Sequence, residues 1–170
     1  RSTLFPYTTL FRSASVNISY HHERILQPNW QQPMKPHFRL DNNVIIFSLF
    51  PGIREDLIRH IIHTPNLKAI VMRTFGSGNA PQSPWLLNAL REGTRNGKVI
   101  VNVSQCMQGA VEMSRYDCGY HLQEAGVISG YDITVESAVT KLMYLQAHHP
   151  DAPETVRQLM QQSIRGEMTI

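Results

Sequence analysis

Val44-Ile45-Ile46-Phe47-Ser48-Leu49-Phe50 is a nearly continuous apolar run of β-branched and aromatic residues, closed by Pro51-Gly52. So short a run predicts a strand buried on both faces, as in a parallel sheet covered by helices. Ile53, Leu57, Ile58, Ile61 and Ile62 follow at helical spacing, with Glu55 and Asp56 near the start, where the helix dipole favours acids. Leu67 to Met72 reads as a second buried strand. Ser83-Pro84 supplies an N-cap and first-turn proline for a helix carrying Trp85, Leu86, Leu87, Ala89 and Leu90, and Asn96-Gly97 stops it. Lys98 to Val103 is a third strand and Val127-Ile128 a short fourth. Further helices are expected at about 117–125, 134–147 and 152–164, the last opening with Asp151 and Glu154 in capping-box spacing. The alternation defines an α/β fold: a three-layer domain with a small parallel sheet of about four strands flanked by helices. Ligands on such sheets bind outside the carboxyl ends of the strands, which directs attention to the loops after residues 50, 72 and 103.

Outward from this core the chain changes character. Residues 14–42 contain Pro28, Pro33 and Pro36 and a polar run from Gln27 to Gln32, which reads as a linker with at most a short strand around Val16 to Ser19. Residues 1–13 repeat Thr-Leu-Phe at 3–5 and 9–11 and carry Arg-Ser at both ends. Thr3 to Ser13 resembles the translation of a widely used DNA-sequencing adapter, so residues 1–13 are set aside as a non-native scar. A signal peptide needs an unbroken apolar stretch, and Pro6, Tyr7, Thr8 and Thr9 interrupt this one. The first methionine is Met34, so the remainder is expected to be part of a longer protein.

The whole chain has 170 residues, 42% of them apolar and 17% charged, which excludes a disordered segment. No apolar run reaches the length of a spanning helix. The formal charge of +3 hints at an anionic partner, but without Arg1 and Arg12 it falls to +1 and no Lys/Arg cluster remains. Neither nucleic acid nor membrane is therefore expected as a partner.

Two loops carry candidate chemistry. The first reads Arg73-Thr74-Phe75-Gly76-Ser77-Gly78-Asn79-Ala80-Pro81. Its Gly76-x-Gly78 permits close backbone approach, but Pro81 stands where a dinucleotide fingerprint needs its third glycine, and the Lys-Ser/Thr of a P-loop is absent. Arg73, at a strand end, offers a planar fork for a carboxylate; an ion pair or carbonyl cap is the alternative. The second loop reads Ser104-Gln105-Cys106-Met107-Gln108-Gly109. If strand geometry persists, Ser104 and Cys106 point to the same side, and with Arg73 they suit a small ligand carrying a carboxylate and an amine. A nucleophilic Cys106 would need a base and a lowered pKa that no motif supplies.

No metal is expected. His21-His22 and His148-His149 are adjacent and diverge, His60 and His63 lack a third ligand, and Cys106 and Cys118 fit no common zinc spacing.

The two loops, with Gly126-Val127-Ile128-Ser129-Gly130-Tyr131-Asp132-Ile133-Thr134-Val135-Glu136 and Thr140-Lys141-Leu142, resemble the carboxyl-terminal domain of bacterial type I, cytoplasmic L-asparaginases. The resemblance runs from about Val44 to Glu167. It implies domain limits of 43–170 for the asparaginase/glutaminase C-terminal domain, with 14–42 as the end of an amino-terminal catalytic domain plus linker. In the family a threonine of that first domain attacks the side-chain amide of L-asparagine, ammonia leaves, and water releases aspartate from the acyl-enzyme. Thr-Gly-Gly-Thr, its usual context, does not occur here, so this chain is not expected to be catalytic alone. The resemblance further implies that Asn79 reaches into a neighbouring subunit's active site, and that Arg73, Ser104, Gln105 and Cys106 form an allosteric asparagine site. Position 104 is often threonine in allosteric members; serine keeps the hydroxyl. The implied partners are L-asparagine, the chain's own amino-terminal domain and identical subunits of a homo-oligomer, with no cofactor and a cytoplasmic location. Two alternatives stand beside this one: a stand-alone amino-acid-binding module and a flavodoxin-like nucleotide-binding domain.

Overall fold

A computed structural model describes residues 11–12, 19–20, 31, 33, 35–106, 109–113 and 117–169, with backbone alone at 11–12, 19–20 and 117–118. A small antiparallel ribbon pairs β1 (Phe11–Arg12) with β2 (Ser19–Tyr20). Of the expected strand at 16–19, residues 16–18 lie outside the described residues. The main domain then runs β3 (Val44–Ser48), α1 (Glu55–Ile62), β4 (Ala69–Thr74), α2 (Pro84–Arg95), β5 (Val99–Ser104), α3 (Asp117–Glu124), β6 (Ile128–Ser129), α4 (Val135–His148) and α5 (Pro153–Met160). The four strands of its sheet are parallel and in chain order, β3-β4-β5-β6. This is the four-stranded α/β architecture expected from the sequence.

The pleat sends alternate residues into two cores. Ile70, Met72 and Ile100 meet Ile58, Ile62, Leu86, Leu90 and Leu122 from α1, α2 and α3. Val71, Val99, Val101 and Val103 meet Leu142, Leu145, Val156 and Met160 from α4 and α5. Burial on both faces explains why β4 and β5 are apolar apart from Arg73, Thr74, Asn102 and Ser104.

Four expectations need correction. β3 is not buried on both faces: among the described residues it is an edge strand, paired with β4 alone, and Ile46 is 46% exposed because the helices centre on the inner strands. Leu57, expected on the buried face of α1, is likewise 46% exposed, because Ile58, Ile61 and Ile62 already fill the stripe that meets the sheet. The Asp151/Glu154 capping box does not form. Ala152 occupies the N-cap of α5 without a side-chain hydrogen bond, and Asp151 sits in the left-handed region at φ +60°. That helix also stops at Met160 rather than 164. There Lys141 of α4 captures the Met160 and Gln162 carbonyls and pairs with Glu167 at 2.7 Å, so the chain turns back along α4.

Candidate functional site

The parallel register fixes what meets at the carboxyl edge. Ser48 lies opposite Arg73, and Thr74 opposite Ser104. The half-buried Arg73 side chain reaches back over β3, and its Nη1 donates to Ser48 Oγ at 3.3 Å. Its Nε is buried without a hydrogen-bond partner. A buried guanidinium N–H in that state costs stability unless something else accepts from it.

Ser104 and Cys106 do face the same cleft. The Ser104 hydroxyl donates to the Gly76 carbonyl and accepts from the Cys106 N–H at 3.0 Å, a short side-chain turn that leaves the exposed Cys106 thiol at the mouth. Gly109 is required by this turn, because a Cβ there would lie 2.3 Å from Ser104 Oγ. Gln105, between them, is held by backbone carbonyls. Its amide nitrogen donates to the carbonyls of Leu49 at 2.6 Å and Arg73 at 3.1 Å, tying the ends of β3 and β4 to β5.

Arg73, Ser104, Gln105, Cys106 and Gly109 line one side of a cleft of about 230 Å³, and Asp132 to Glu136 line the other. The second wall was not assigned from sequence. It is the N-terminal turn of α4, where Thr134 caps by accepting from Ser137 N at 3.2 Å. The signal was available: a helix starting near 134 after the fourth strand must begin at the same sheet edge as Arg73. The Arg73 guanidinium lies across the cleft from the wall that carries Glu136 and Asp132, whose Oδ1 accepts from Thr169 N at 2.7 Å, so the two walls offer groups of opposite charge, as a zwitterion needs. The volume lies below the range of about 300–1,000 Å³ usual for larger ligands. It suits one amino acid better than a flavin or nucleotide.

Asn79 is elsewhere. It closes a tight hairpin in which Phe75 N donates to Asn79 O at 2.9 Å and Asn79 N to Phe75 O at 2.8 Å, and it is not among the residues lining the Arg73 cleft. The hairpin is anchored from below. Asn102 Nδ2 donates to the Gly78 carbonyl at 3.0 Å, and Thr74 Oγ1 donates to Asn102 Oδ1 at 2.6 Å. Gly78 has φ +101° and lies so close to Val111 that a Cβ would come within 2.7 Å of it. Sequence reasoning missed Thr74 and Asn102, since polar residues inside apolar strands leave no spacing pattern.

Among the described residues no three His, Cys, Asp or Glu side chains cluster as metal ligands, and no helix is long and apolar enough to cross a membrane. His148 contacts His37 at 3.2 Å, and His63 lies 3.5 Å from Glu92; His21 and His22 lie outside the described residues.

Fold and cleft together define an α/β domain with an amino-acid-sized site at the carboxyl edge of a parallel sheet. Residues 43–160 match the glutaminase/asparaginase C-terminal domain model, and the chain belongs to that family. It is 44% identical over 124 residues to L-asparaginase 1 of Escherichia coli, covering 73% of this chain and 36% of that protein. It is 37% identical over 166 residues to the human 60 kDa lysophospholipase, covering 98% of this chain and 28% of the relative. The solved structure of L-asparaginase I from Vibrio cholerae superposes with a TM-score of 0.81 at 37% identity, over 95% of this chain and 48% of that one. The chain thus spans between about a quarter and a half of the length of these relatives.

Proposed function

We propose that this chain is the carboxyl-terminal part of a type I, cytoplasmic L-asparaginase, and that its Arg73 cleft binds L-asparagine as a regulatory ligand. The observation that carries the reading is a cleft of amino-acid size that brings the half-buried Arg73 together with Ser104, Cys106 and the α4 N-terminus. In this reading the asparagine carboxylate takes Arg73, its ammonium faces Asp132 and Glu136, and its side-chain amide lies along the Ser104–Cys106 loop. Gln105 holds the cleft in shape through Leu49 and Arg73 rather than by touching the ligand.

Asn79 is assigned a separate, auxiliary role at the active site of a neighbouring subunit in a homo-oligomer. Its hairpin is rigid enough for that task, pinned by Asn102, and a side-chain amide can orient a substrate but cannot attack it. The nucleophile is assigned to an amino-terminal domain that precedes the linker at 14–42. Relatives sharing this domain carry the names of an asparaginase and a lysophospholipase, which supports placing the reaction-defining groups outside it.

Calorimetry on the purified 170-residue chain with millimolar asparagine tests the regulatory site. Heat that disappears in Arg73→Ala is expected; no heat, or equal heat in the variant, would overturn it. Ammonia release by the same chain at the rate of a whole enzyme would overturn the placement of the nucleophile. Residues 1–13 are proposed to be adapter-derived. The alignment with the human relative takes in 98% of the chain and so reaches into them, which makes direct sequencing of the source gene the test: a native reading frame through residues 1–13 would sink that assignment.

A further inference from the structure

The flank of α4 holds a second cleft, of about 430 Å³. It is lined by Lys141 and Tyr144 of α4, by Lys35 and His37 ahead of β3, and by Arg165 and Glu167 of the tail beyond α5. Its charges are unlike those of the other clefts. Lys141 and Glu167 satisfy each other at 2.7 Å, and the N–H groups of Ile164 and Arg165 hold the same carboxylate. Lys35 and Arg165 are left over. Both are exposed, neither pairs with an acid among the described residues, and Arg165 Nη1 donates only to the adjacent Ile164 carbonyl, at 3.0 Å. His37 adds no negative charge; its Nδ1 lies 3.2 Å from His148 Nε2. Cations elsewhere have acids beside them: Arg73 shares its cleft with Asp132 and Glu136, Lys68 meets Asp41, and Arg91 and Arg95 share a groove with Glu92.

With His37 neutral, Lys35, Lys141 and Arg165 against Glu167 leave the lining groups at +2. A phosphate monoester, whose second pKa is about 6, carries close to two negative charges at neutral pH and balances them. Its tetrahedral oxygens can accept from a guanidinium on the tail side and an ammonium on the β3 side together. A carboxylate offers one charge and one plane, and matches a single fork. Tyr144 and Ile164 supply apolar surface beside the cations, and the volume lies within the usual range of about 300–1,000 Å³ for small-ligand sites.

We infer that this cleft binds a small phosphate ester, with the phosphate held between Lys35 and Arg165 and the organic part against Tyr144 and Ile164. The Arg73 cleft shares none of these residues, so the site stands whether or not that cleft takes asparagine.

The test is calorimetry on the 170-residue chain at low ionic strength, where exposed charges are least screened, with phenyl phosphate and, as a singly charged ring, benzoate. Phenyl phosphate is expected to bind, and benzoate to bind about tenfold more weakly or not at all. Lys35→Gln and Arg165→Gln are each expected to weaken phenyl phosphate by about tenfold, the loss of one hydrogen-bonded charge. Neither should shift the melt, because both side chains are exposed and the Arg165 N–H that holds Glu167 stays in place. Arg91→Gln removes a cation from a different groove and is expected to leave the affinity unchanged. Absence of heat with phenyl phosphate, equal binding of benzoate, full affinity in the Lys35 and Arg165 variants, or an equal loss in Arg91→Gln would overturn the site.

Discussion

The Thr74 hydroxyl donates to the Asn102 side-chain oxygen at 2.6 Å across β4 and β5, and both residues are fully buried. The other end of the Asn102 amide holds the Gly78 carbonyl, so one buried side chain links the sheet to the hairpin that presents Asn79. Asn102→Leu leaves the Thr74 hydroxyl and the Gly78 carbonyl to find new partners. A loss of about 1 to 3 kcal/mol for each group left unpaired is expected in urea denaturation. Thr74→Val combined with Asn102→Leu should cost less than the sum of the two single changes, because the double variant removes both partners together. Additive losses would show that the bond carries no coupling.

Lys141 and Glu167 form a buried ion pair that fixes the carboxyl-terminal tail to α4. Burial drives the Lys141 ammonium below its usual range, and Glu167 only partly offsets this. Burial pushes the Glu167 carboxyl up, but hydrogen bonds from Lys141 and from the N–H groups of Ile164 and Arg165 outweigh it and hold the group below the ordinary value of 4.5. The unfolded chain therefore takes up this proton first as pH falls. Stability from Glu167 is complete above the ordinary value and is lost as pH drops through the lower folded one. Glu167→Gln should flatten that acid limb and cost about 3 to 5 kcal/mol at neutral pH, since it strands a buried ammonium. An unchanged acid limb in chemical denaturation followed across pH 3 to 7 would count against the pair.

Gly109 permits the close approach of the 104–109 loop to itself. In Gly109→Ala the new methyl would stand 2.3 Å from Ser104 Oγ and 2.9 Å from Cys106 Cβ, so the Ser104 turn must open. Overpacking of this kind costs about 1 to 3 kcal/mol. The variant should lose the asparagine heat while keeping a cooperative melt, because Ser104 and Cys106 sit at the sheet's edge and outside both apolar cores. Retained heat at unchanged affinity would separate the turn from ligand binding.

The fold was legible because β4 and β5 are largely apolar on both faces, with Pro51-Gly52 closing β3 and Asn96-Gly97 preceding β5; such runs have few other ways to fold. Edge position was not legible in β3. An edge strand and a central strand of the same composition differ only in what lies beside them, and Ile46 reads as core until the strand order is known. At the site, Arg73, Ser104 and Cys106 were found from residue type at strand ends, and the register brings them to one cleft. The α4 wall was missed because Asp132 to Glu136 are 28 or more residues from Ser104 and meet it only through the crossover. The backbone partners of Gln105 were not legible: nothing in sequence distinguishes an amide that meets a ligand from one that meets Leu49 O.

That distinction can be measured. If Gln105 shapes the cleft through the Leu49 and Arg73 carbonyls, Gln105→Leu should lose stability and asparagine affinity together, the former by about 2 kcal/mol for two bonds to the backbone. Arg73→Lys should separate the two. Its Nε has no protein partner to lose and its one hydrogen bond, to Ser48, is long at 3.3 Å, so the melt should hardly move. A lysine nonetheless lacks the planar fork for a carboxylate, and asparagine affinity should fall by about tenfold. Calorimetry and thermal denaturation of both variants decide the matter. A Gln105→Leu protein of unchanged melting temperature but weakened affinity would place Gln105 against the ligand after all, as the sequence alone suggests.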